Sequence, residues 1–167
     1  VEPASRLEDE LSEALEMASA LERSGDLPNL ARAYRQVGMT RFMLGHAGEG
    51  EADLERSAAF ARQAGHVDLE HDALLSRLRP VAWGPTPVEG GIAFCDFLLS
   101  GEIANVANKA LALHVRALLL AMHGDFARAR ASAADAEALI EEFGLQYQPL
   151  RQRVKELLSA VRIPSPE

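Results

Sequence analysis

The sequence predicts an all-α protein, a right-handed stack of helix pairs with about seven helices in all, and three observations carry that reading. Gly45, Gly84 and Gly124 recur at spacings of 39 and 40 residues, each closing a long apolar-periodic stretch. A second series, Gly25, Gly65, Gly101 and Gly144, falls between them at steps of 40, 36 and 43. Glycine enters the left-handed backbone region without a Cβ clash and so ends a helix in a tight turn. Two interleaved series sharing one period therefore mark a repeated helix-turn-helix unit. The third observation is compositional: the 48% hydrophobic share holds only 5% aromatic residues and is dominated by leucine and alanine, which favour helices and let them approach closely.

The elements follow in order. From Ser5 to Ser24, Leu7, Leu11, Ala14, Leu15, Ala18 and Leu21 recur at three and four, with acids on the other face, which makes an amphipathic helix. Gly25-Asp26 ends it and Leu27-Pro28 opens a second, marked by Leu30, Ala33, Tyr34, Val37, Arg41 and Leu44. Gly48 to Ala64 returns through Ala52, Leu54, Ser57, Ala58 and Ala61. A third pair runs from Val67 to Arg79 or Trp83 and from Val88 to Leu99; Pro80 lacks an amide hydrogen and should kink or end the first of these. Asn105 to His123 and Phe126 to Phe143 form the last complete pair. Gln146 to Val161 is expected as a final unpaired helix, and Pro164 to Glu167 as a frayed end. A small residue five places after the turn glycine, Gly50 after Gly45 and Ala129 after Gly124, should let the second helix cross tightly against the first; Gly84 to Gly91 is two residues longer because of Pro85-Thr86-Pro87.

Length and charge bound the function. The 167 residues suit a single domain, 1–167, and because the chain begins at Val1 in sequence that already reads as helix, we expect a fragment of a longer protein. A formal charge of −8 argues against nucleic-acid and anionic-membrane binding, both of which need a cationic surface. The single cysteine, Cys95, forms no internal disulfide, and there is no stretch of about 18 uninterrupted apolar residues and no signal-peptide layout, which points to the cytoplasm.

Gly38, Gly45, Gly50 and Leu54, with Ala117, Gly124, Ala129, Ala133 and Ala136, resemble the small and apolar skeleton of tetratricopeptide repeats, although Arg41 and Leu120 stand where such repeats carry aromatic residues. Trp83-Gly84-Pro85-Thr86-Pro87-Val88-Glu89 with Ile92 and Cys95, and Ala121-Met122-His123-Gly124-Asp125-Phe126-Ala127-Arg128-Ala129-Arg130, are similar to the helical repeat region of large bacterial ATPase signalling proteins, of the adenylate/guanylate cyclase type or the LuxR-type regulators. The resemblance covers roughly residues 27 to 145. It implies a sensor or interaction arm, with other domains of a parent chain as partners and catalysis elsewhere.

Side-chain chemistry offers little against this. His66 and His71 stand about 140° apart around a helix and no His-Glu-x-x-His pattern exists, so no metal is expected. His46 and His123 flank turn glycines and read as solvated helix-end residues. Gly45-His46-Ala47-Gly48-Glu49-Gly50-Glu51 opens a helix, but it lacks the Lys-Ser/Thr of a phosphate loop and carries two repelling acids. Cys95 reads as an inert core thiol, Trp83 as a plug at the helix corner, and Glu8, Asp9, Glu10 and Glu13 as a solvated face. No catalytic group and no cofactor are expected.

If the first helix of each pair lines the inner curve, the candidate partner-binding positions are Arg32, Arg35, Met39, Phe42 and Met43, then His71, Leu74 and Leu78, then Leu111, His114, Leu118 and Met122. Basic and thioether side chains on an acidic protein would suit an amphipathic or extended protein segment with acidic residues. The alternative is a small-ligand sensor with a pocket near His71 and His114. Apolar faces at the ends of a stack also suggest a homodimer through an end helix.

Overall fold

The computed structural model describes residues 3–101, 103, 105–144, 152, 154–156, 158 and 159. The chain is all-α, with no strand among the described residues. Eight helices follow one another there: α1 (Pro3–Ser24), α2 (Leu27–Met43), α3 (Ala47–Gln63), α4 (Val67–Ser76), α5 (Leu78–Trp83), α6 (Val88–Ser100), α7 (Val106–His123) and α8 (Phe126–Phe143).

Local signals set the ends. Gly25, Gly45, Gly65, Gly124 and Gly144 all adopt positive φ. After α1, α2, α3 and α7 the residue following the glycine donates its amide back five positions, as in His46 to the Arg41 carbonyl at 2.9 Å and Asp125 to the Leu120 carbonyl at 2.9 Å. Asp26, Asn105 and Asp125 then cap the helices they precede by accepting the amides of Asn29, Asn108 and Arg128.

Two glycines of the expected series depart from the pattern. Gly84 (φ −98°) and Gly101 (φ −88°) are extended, not left-handed. Gly84 precedes Pro85, whose ring excludes helical backbone for its predecessor. Its lack of a side chain still matters, because a Cβ there would overlap the Pro80 carbonyl oxygen. Apart from the one-residue joint at Arg77, the connections without a left-handed glycine, 84–87 and 101–105, are also the longer ones, since reversal in two or three residues needs the positive φ.

The expected third pair opens with two helices, not one. Pro80 has no amide hydrogen for the Ser76 carbonyl, and the break falls there, four residues back: α4 stops at Ser76, Arg77 forms the joint, and Pro80 sits inside α5.

The chain divides into two compact units, Val1–Pro85 and Thr86–Glu167. In the first, α1 packs on α2, α2 on α3 and α3 on α4, while α2 also touches α4 and α3 touches α5. The closest approach is between α2 and α3, where a Cβ built on Gly50 would lie 2.6 Å from the Gly38 carbonyl oxygen and one on Gly38 2.7 Å from that of Gly50. The buried Ser57 hydroxyl donates to the Ala31 carbonyl at 2.7 Å across the same crossing. Ala18, Leu30 and Ala33 form the core between α1 and α2, flanked by Tyr34 and Phe60, whose rings lie 5.5 Å apart.

In the second unit α7 packs on both α6 and α8. It is apolar nearly all round, with eleven buried residues from Ala110 to Ala121, as befits a helix covered on several sides. Ala117 and Ala129, both fully buried, stand at the same sequence distances from Gly124 as Gly38 and Gly50 do from Gly45. The expected last helix, Gln146 to Val161, lies partly outside the described residues, as does all of Pro164 to Glu167. Its described residues are helical and not unpaired: Val154 is buried, and Leu158 packs against Leu120, Ala121 and Ala129.

Candidate functional site

The exposed residues of α2 form one stripe, Asn29, Arg32, Arg35, Gln36 and Met43, with Met39 half-buried among them. The rest of α2 is committed to packing: Leu30, Ala31, Ala33, Val37, Gly38 and Thr40 are buried. On α5 the buried Leu78, Pro80, Val81 and Ala82 leave Arg79 and Trp83 outward, four residues apart and so on one side. The two stripes are neighbours. Arg35 donates from a guanidinium nitrogen to the Ser76 hydroxyl at 3.4 Å, and farther along, the turn at Ala47 and Gly48 lies against Gly84 and Pro85. Helix α2 and the α4–α5 segment therefore run in the same direction, and their outward residues make one face. It holds Arg32, Arg35 and Arg79 with Met39, Met43 and Trp83, and Asp68 and Asp72 border it toward the start of α4. Met43 is 52% and Trp83 53% exposed.

The expected binding positions divide accordingly. Arg32, Arg35 and Met43 are exposed, and Met39, Phe42 and His71 are half-buried. Leu74 and Leu78 are core residues of the first unit and are withdrawn from any contact surface. In the second unit Leu111, His114 and Leu118 are likewise buried, because α6 and α8 flank α7 and leave it no open side there; only Met122, past the packed section, is exposed. His114 faces Glu137, with Nε2 3.5 Å from a carboxylate oxygen. Trp83 corrects the sequence expectation: it does not plug the corner. Its ring borders an open depression of about 430 Å³ that is also lined by Gly45, His46, Glu49 and Pro85. A second open depression lies on α1, over Ser12, Leu15, Glu16, Ser19 and Arg23. Neither is lined by His71 or His114. The exposure of Arg79 and Trp83 escaped sequence reasoning, although their four-residue spacing was a signal once the break at Ser76 was placed.

Shielded charged pairs lie beside this face. Asp53 is buried on α3 and accepts from Arg41 at 2.6 Å. Burial pushes its carboxyl above the ordinary range, and the Arg41 guanidinium opposes that rise without cancelling it. Arg41 also lies 3.5 Å from Glu49. At the joint, Arg77 pairs with Glu51 at 3.0 Å, both largely shielded, which fastens the break to α3. In the second unit Arg116 spans its neighbours, 2.7 Å from Asp96 on α6 and 3.0 Å from the Ser132 hydroxyl on α8.

The remaining candidates sit as follows. Burial pushes the Cys95 thiol up to about 12, and the Asp96 charge adds to the rise, so the sulfur is neutral and enclosed. His46 and His123 are exposed at helix ends, 3.8 Å from Glu49 and 3.6 Å from Glu89. Glu8, Asp9 and Glu13 are exposed, and Glu10 accepts from Arg6. Among the described residues no three of His, Cys, Asp or Glu are grouped to hold a metal ion, and no helix is long and apolar enough to cross a membrane. Compared with known families and with curated proteins, the chain matches none.

Proposed function

We propose that this protein is a non-catalytic interaction module, a tetratricopeptide-like right-handed array whose α2–α4–α5 face docks an acidic, amphipathic protein segment. The packing that carries the reading is the contact of α2 with both α3 and α4, while α3 packs along both halves of the broken α4–α5 segment. Helix α2 thus touches the next helix and the next but one, the neighbour order that repeat arrays use to bury apolar stripes no single pair can hide. Such an order leaves one side of α2 open, and here that side concentrates arginine and methionine on a chain of net charge −8. Arginine recognises carboxylates bidentately, and methionine adapts to varied apolar partners. The motifs around Trp83 and Gly124 support a place in a bacterial signalling or regulatory protein, with the ATPase and output functions in other domains of the parent chain.

The test uses the only tryptophan of the chain, Trp83, which stands on the face itself. Titrating acidic amphipathic peptides while following its fluorescence should give saturable, salt-weakened binding. Arg35→Glu with Met39→Glu should weaken it by roughly tenfold or more, since like charges placed in contact cost several kcal/mol. Equal affinity in the double variant would refute the assignment.

A further inference from the structure

We propose, resting on that docking reading, that the segment received by the α2–α4–α5 face is helix α1 of a second copy of this chain, so that the protein associates head to tail. Helix α1 buries Ala14 and Ala18 against its own α2. Asp9, Glu13, Glu16 and Ala20, spaced four, three and four, lie on the opposite side and are exposed, beside Met17 at 59% exposure. This is an acidic helix with an accessible thioether, the complement of Arg32, Arg35 and Arg79 set among Met39, Met43 and Trp83. The contact cannot form within one copy. The acidic stripe points away from α2 while Ala14 and Ala18 hold the helix down, so only another molecule can present it to the basic face. The two surfaces differ, so the contact is heterologous, and each added copy brings one fresh surface of each kind.

Light scattering across a concentration series tests this on the intact chain, with circular dichroism to verify helix content in each variant. At low salt the average mass should climb from 18.1 kDa through the dimer as concentration rises, and fall back when salt screens the charges. Arg32→Glu with Arg35→Glu should hold the chain monomeric, and so should Glu13→Lys with Glu16→Lys. An equimolar mixture of these two variants should associate again, because the intact α1 of one meets the intact face of the other and the two reversed surfaces complement each other in turn. Placing all four reversals in one chain should restore association. A monomer at every concentration overturns the proposal, as does a mixture that stays monomeric, or association that survives either pair of reversals. The docking reading fails separately: if the wild type stays monomeric yet binds acidic peptides through Trp83, only the choice of α1 is wrong, whereas loss of both withdraws the face itself.

Discussion

Replacing Gly50 with alanine should destabilise the first unit although alanine is the better helix former. The added Cβ would sit 2.6 Å from the Gly38 carbonyl oxygen and 3.1 Å from the Phe42 amide nitrogen, both backbone atoms that no rotamer change can move. Relief requires α2 and α3 to separate by about 1 Å, which forfeits a quarter to a half of the dispersion attraction between atoms on either side. Overpacking of this kind costs typically 1–3 kcal/mol, against roughly 1 kcal/mol recovered from helix propensity. The crossing also holds the buried Ser57 hydrogen bond and the Arg41–Asp53 pair, both sensitive to separation, so the upper part of the range applies and the net loss is about 1–2 kcal/mol. Gly90→Ala is the control, because its Cβ would meet nothing closer than 3.9 Å and should stabilise by up to about 1 kcal/mol. Urea unfolding followed by Trp83 fluorescence reads the first unit directly, and far-UV circular dichroism reads both. A neutral or stabilising Gly50→Ala would mean that α2 and α3 do not meet backbone to backbone, and the tight crossing would have to be abandoned.

Two further outcomes follow from buried charge and the buried thiol. The raised pKa of Asp53 means the folded state binds more protons than the unfolded one between 3.8 and the raised value, so the stability of the wild type relative to Asp53→Asn should fall as pH rises through that window. Urea midpoints of both proteins at stepped pH check the sign, and a rise instead would mean that the Arg41 contact outweighs burial. Cys95 should resist a thiol reagent at neutral pH in the native protein and react at once in denaturant; prompt native labelling would contradict a fully enclosed sulfur held neutral.

The candidate face was half legible. Arg32, Arg35, Met39 and Met43 fall on one stripe of α2 by spacing alone, and they are its open side. The same rule applied to α7 selected Leu111, His114 and Leu118, which are core. Spacing says which residues share a face, but when a helix is apolar on every side it does not say which face is left uncovered. Asp53 shows the same limit from the other direction: a charged residue that reads as surface lies buried because Arg41, twelve residues away, reaches it across the crossing.

What the sequence determined by itself is the helical content and most of the helix ends, because caps, left-handed glycines and the missing amide of Pro80 act within about five residues. Asp26, Asp125, Gly45 and Gly124 need no distant partner to stop or start a helix. Tertiary structure alone decided that Trp83 stands half in solvent while Leu78 is sealed, and that the tight crossing expected at Gly50 is made against the Gly38 backbone. Burial and close approach belong to pairs of elements, and no single segment carries the geometry of its neighbour.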